Sequence, residues 1–106
     1  MIDFIRGQLA QEELLAQLAE EAAELSQAAL KLRRVLDGKN PTPVTYGDAL
    51  EDLREEIADV TLCITVLGLD EIMDTHDRMM SKMFRWSDRL KDAQKKEVEH
   101  DGISVH

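Results

Sequence analysis

Proline, glycine and aromatic residues are scarce in this chain: two, five and four respectively in 106 positions. Sheets and their turns draw heavily on these residues, so their scarcity disfavours a β architecture and predicts long helices with few interruptions. Positive charge is scarce as well, with 13 basic residues against 22 acidic ones and a formal charge of -9. A duplex nucleic-acid binder needs a basic face, which excludes that class of polymer partner. The single cysteine, Cys63, lies in an apolar run and predicts a reduced core thiol in a cytoplasmic protein. No basic segment leading into an apolar stretch marks a signal peptide. The longest apolar run, residues 60–69, falls short of the roughly 20 residues that span a bilayer, so no membrane partner is expected.

What is abundant is apolar and acidic residues at helical spacing. At 43% apolar, a chain of this length can bury one core, and it gains from a partner surface. Residues 1–7 read as a short entry segment of about one helical turn. From Gln8 to Asp37 a stripe of Leu9, Leu14, Leu15, Leu18, Ala22, Leu25, Ala28, Ala29, Leu32, Val35 and Leu36 predicts an amphipathic helix stopped at Gly38. Residues 39–47 contain both prolines and read as a loop, with Thr45 or Asp48 as the cap of the next helix. That helix spans about Asp48 to Leu67, with Leu50, Leu53, Ile57, Val60, Ile64 and Leu67 inward. Its second half is apolar nearly all round, and its β-branched content also permits a strand. A helix apolar on every side needs cover on every side, which predicts a subunit interface there. Gly68 ends it, Asp70 is placed to cap a third helix over about Glu71 to Lys96, and a polar, flexible tail follows from Glu97. The expected architecture is all-α: a long-helix bundle of about three main helices per chain, one domain over residues 1–96, completed as a homodimer or dimer of dimers.

Two short stretches organise the rest: Glu20-Glu21-Ala22-Ala23-Glu24 and Glu55-Glu56-Ile57-Ala58-Asp59. Each is a pair of glutamates followed, three residues past the second, by another carboxylate. On a helix each trio falls within an arc of roughly 100°. Solvated helix faces are commonly charged, so one such motif alone says little. Two copies on successive helices, each followed by an apolar stretch, predict a carboxylate cluster. Such a cluster repels itself at neutral pH unless a multivalent cation sits within it. All-oxygen donors, with no Cys or His at matching spacing, suit Mg²⁺ or Mn²⁺.

A second constellation lies further on. Arg78, Lys82, Arg85 and Arg89 form one basic stripe, with Asp74 and Asp77 available for ordinary salt bridges. Lys82 and Arg85 stand beside Met83, Phe84 and Trp86. Cationic groups opposite a metal-loaded carboxylate cluster are suited to phosphate oxygens. Gln8, Gln11 and Gln17 offer amides to a base edge, and Tyr46 or Trp86 offers a stacking face, although a structural role fits each of them more readily.

The run from Leu18 to Lys31, followed by Glu55-Glu-Ile-Ala-Asp-Val, resembles the MazG-like all-α nucleoside triphosphate pyrophosphohydrolases, whose pattern is Glu-Glu-x-x-Glu, a spacer, then Glu-x-x-Asp. The Lys82-Met-Phe-Arg-Trp segment is similar to the basic segment that follows in that family, and the likeness covers about residues 8–90. The spacer of 31 residues between Glu24 and Glu56 is longer than in the shortest members, and the extra residues fall in the 39–47 loop. The resemblance implies Glu21, Glu24, Glu56 and Asp59 as Mg²⁺ ligands. It implies water-orienting or catalytic roles for Glu20 and Glu55, and phosphate contacts for Lys82 and Arg85. The implied reaction is cleavage of an NTP or dNTP between the α and β phosphates, giving a monophosphate and pyrophosphate.

Two rival readings compete. A di-iron bundle needs Glu-x-x-His on two helices, and the chain has one, ending at His100. A non-enzymatic helical oligomerisation or regulatory module would leave the acidic arcs as solvent faces.

Overall fold

A computed structural model describes residues 1–39 and 43–105, with side chains over 1–39 and 43–98. Residues 40–42 of the expected loop, and the His100 side chain of the di-iron reading, lie outside the described residues. Among those described the chain is all helical: α1 (Ile2–Gln8), α2 (Gln11–Asp37), α3 (Tyr46–Leu67) and α4 (Ile72–Val105). None of these helices is long and apolar enough to cross a membrane. The chain divides into two units, Met1–Asp70 and Glu71–His106.

In the first unit, α2 forms because Ala, Leu, Glu and Gln fill it. It stops where Gly38 turns left-handed at φ 69°, its N–H donating to the Val35 carbonyl while the Lys39 N–H donates to Arg34. That reverse turn satisfies carbonyls which the helix end leaves open, and a side chain at Gly38 would strain it. Gly68 ends α3 in the same way at φ 73°. At the other end of α3, the Thr45 hydroxyl accepts the Asp48 N–H at 3.1 Å, so Thr45 is the cap. The helix starts at Tyr46, two residues before the expected Asp48.

The pairs brought together along α2 and α3 run in opposite directions. Lys31 meets Asp52, Glu24 meets Glu56, and Leu14 shares a pocket with Val66. The two helices therefore form an antiparallel hairpin. Its buried apolar residues, among those described, are Leu14, Ala28, Ala49 and Val66. Two of these are alanines, which let the backbones approach closely. Burying Leu14 contributes about 2 kcal/mol and each alanine less. Leu18, Leu25, Leu32, Val35, Leu50, Leu53, Val60, Ile64 and Leu67 are half-buried around them.

Several residues expected inward are not. Leu15, Leu36 and Ile57 are 45%, 68% and 48% exposed, as is Leu62 at 53%. The reason is geometric: a hairpin covers one face of each helix, whereas these stripes are wider than one face. Cys63 is a free, half-buried thiol.

The entry segment is a helix of seven residues with nothing buried. A single side chain ties it down. Arg6 donates from Nε to the Val66 carbonyl at 2.7 Å and from Nη2 to Thr65 at 3.1 Å. The guanidinium thus satisfies the Val66 carbonyl and adds a second donor to the Thr65 carbonyl, which already accepts the Gly68 N–H. Asp70, expected as the next helix's cap, accepts the Thr65 hydroxyl at 3.1 Å.

The second unit is one helix, α4, which continues past Lys96 to Val105. Its apolar residues Ile72, Met73, Met79, Met83, Phe84, Trp86 and Leu90 are all exposed, while Met80 and Ser87 are half-buried.

Candidate functional site

The antiparallel register of α2 and α3 brings the two acidic motifs face to face. Glu21 and Glu24 are one turn apart on α2, and Glu56 projects from α3. One carboxylate oxygen of each lies within 4.8 Å of the others, close enough to share one ion. Asp59, one turn beyond Glu56, is near enough to push up the Glu21 and Glu56 carboxyls. It is exposed and contributes no oxygen to that closest set. Three of the four expected ligands therefore converge, and the fourth stands at the rim.

The electrostatics of the cluster are unfavourable as it stands. Glu21 Oε2 and Glu56 Oε2 are buried and have no hydrogen-bond partner among the described residues. Partial burial raises both carboxyls above their ordinary 4.5, and the neighbouring Glu24 and Asp59 charges raise them further. One contact opposes this for Glu21: the Gln17 amide donates to its Oε1 at 2.8 Å. Gln17, weighed as a base-reading amide, is thus engaged in fixing a carboxylate. None of the ion pairs among the described residues involves Glu21, Glu24, Glu56 or Asp59. The influence of the cluster reaches Cys63, whose thiol is pushed up first by burial and then by Glu21 and Asp59.

Orphaned oxygens of this kind fit a divalent cation. A hard ion takes carboxylate oxygens as ligands, satisfies buried lone pairs and removes the repulsion in one step.

Glu20 is exposed on α2 and contributes nothing to the closest set. Glu55 is exposed and lines a groove between α2 and α3 of about 730 Å³, together with Glu24 and Glu56. The same groove is lined by Lys31, Arg34 and Asp52, which the sequence reading did not single out. A signal was present, since Lys31 follows Glu24 by seven residues and so returns to the same face of α2. Lys82 and Arg85 stand together on α4, beside Asp77, Arg78 and Ser81 at a shallow depression of about 280 Å³. Arg78 is occupied by Asp74 at 2.8 Å.

Comparison with known proteins finds no family model, no curated protein and no solved structure that matches this chain.

Proposed function

We propose that this chain is a Mg²⁺-dependent nucleotide pyrophosphohydrolase, converting an NTP or dNTP and water to the monophosphate and pyrophosphate. The observation that carries this reading is the convergence of Glu21, Glu24 and Glu56 with two buried oxygens unsatisfied. The likeness of the two acidic motifs to the MazG-like family supplies the reaction class.

Glu21, Glu24 and Glu56 hold the metal, with Asp59 as the rim ligand. Mn²⁺ substitutes in the same oxygen set. When bound, the metal neutralises phosphate charge and makes a coordinated water more acidic. Gln17 fixes Glu21 in its binding orientation, as partners behind a metal ligand commonly do. Glu55, at the groove, is the group we assign to accept the attacking water's proton, with Glu20 as the second candidate. Lys82 and Arg85 offer cationic contacts to phosphate oxygens. The thin core of the hairpin and the bare apolar side of α4 support assembly as a homodimer or dimer of dimers.

The test is a panel of NTPs and dNTPs with Mg²⁺, reading pyrophosphate against orthophosphate. Pyrophosphate with an equal amount of monophosphate is expected. Orthophosphate alone would overturn the cleavage position, and no turnover of any nucleotide would overturn the enzyme. The exposed apolar residues of α4 also favour a second reading, a non-enzymatic helical oligomerisation or regulatory module. That module would assemble with copies of itself yet gain no stability from Mg²⁺, with or without nucleotide.

A further inference from the structure

The groove between α2 and α3 has two chemically different ends. One is the carboxylate cluster, with Glu24 and Glu56 in its wall. The other is formed by Lys31, Arg34 and Asp52. Lys31 follows Glu24 by seven residues on the same face of α2 and Arg34 by ten, about a quarter-turn round, so they stand roughly 10 and 15 Å further along the helix. Residues 1–70 carry six basic and 14 acidic side chains. Two of those six basic groups line this one groove.

Both have donors to spare. Lys31 Nζ meets Asp52 Oδ2 at 3.0 Å, and its side chain is 35% exposed. One carboxylate contact leaves an ammonium two further donors. Arg34 is exposed and has no ion-pair partner among the described residues. Its guanidinium presents five donors in a fork suited to phosphate oxygens. The half-exposed Lys31–Asp52 pair also holds the ammonium at the groove. A polyphosphate is repelled by a carboxylate cluster, so it needs positive charge along its whole length. Metal supplies that charge at one end only.

We infer that Lys31 and Arg34 hold the phosphate groups of the substrate lying beyond the metal-bound ones, which makes the α2–α3 groove the polyphosphate channel. This rests on the pyrophosphohydrolase reading and adds substrate-binding residues that the sequence motifs did not indicate. Asp52 is the positioning residue for Lys31.

The test combines binding and turnover in the full chain. Inorganic tripolyphosphate with Mg²⁺ is expected to raise the melting temperature of the wild type above the value with Mg²⁺ alone. In Lys31→Ala/Arg34→Ala that added increment disappears while the Mg²⁺ effect persists. KM for the preferred nucleotide rises roughly 10- to 100-fold, the loss expected for charge-assisted contacts, with kcat changed far less. Lys31→Arg restores most of the KM and guards against a folding artefact. An unchanged KM and an unchanged tripolyphosphate increment in an actively hydrolysing double variant would overturn the channel alone. A wild-type chain that turns over no triphosphate would overturn the hydrolase reading, and the channel with it.

Discussion

Along one seam between α2 and α3, the two ends treat negative charge in opposite ways. At one end Asp52 meets Lys31 at 3.0 Å, an ordinary half-exposed ion pair. At the other, one turn along α3, Glu56 faces Glu21 and Glu24 with buried oxygens unmatched. The chain therefore supplies a cation where an acidic residue needs one for structure, and withholds it a turn away. On the proposed reading, the unmatched end is arranged for a cation that arrives from outside.

The sharpest way to break this contrast is to remove the unmatched end. Glu56→Ala is expected to abolish measurable turnover, losing at least the roughly 10- to 100-fold that follows from disturbing a metal ligand's support. Its helical circular dichroism should persist, since no ion pair involves Glu56. Asp59→Ala, at the rim, should behave similarly but less severely. Wild-type rates in both variants would dissolve the ligand assignment.

A smaller effect concerns pH. Folding raises the Glu21 and Glu56 carboxyls above their ordinary 4.5, so the native state holds more protons than the unfolded chain. The contribution of these two groups to stability without metal should then be greatest at or below about pH 4.5. It should fall as pH rises through the raised native values. Thermal melts at fixed ionic strength from pH 4 to 8 read this slope directly, and Glu21→Gln or Glu56→Gln should flatten it. Identical slopes in variant and wild type would mean that the repulsion is relieved some other way.

The smallest expected changes belong to the matched, structural contacts. Arg6→Ala removes both bonds to the end of α3 and should cost about 1 kcal/mol in urea denaturation, as should Thr45→Ala at the cap. Neither should alter turnover, and a large kinetic defect in either would extend the site beyond the seam.

Much of this was legible from the sequence. Gly38, Gly68 and Thr45 each mark a helix end through one backbone requirement, and the structure uses all three. The two acidic motifs could be assigned to facing arcs because helical spacing fixes which side chains share a face. What remained hidden depends on what covers each face. Ile57 fits the apolar stripe and Leu62 lies in the half of α3 that is apolar nearly all round, yet a hairpin leaves both exposed. Gln17 fitted a structural role more readily than a base-reading one, and its contact with Glu21 shows which structural role that is. Lys31 ends the run that carries the resemblance but lies outside its acidic pattern, and only the register of α2 against α3 brings it beside Asp52.

The most direct measurement is the melting temperature as a function of Mg²⁺ at neutral pH, in the wild type and in Glu21→Gln/Glu56→Gln. A rise that continues with the logarithm of the Mg²⁺ concentration is expected in the wild type, corresponding to about 2.7 kcal/mol of added stability when the ion is at 100 times its dissociation constant. The double variant should start from a higher melting temperature without metal and gain nothing from it. A flat wild-type titration, or an equal rise in both proteins, would contradict the claim that these carboxylates converge to hold a divalent ion.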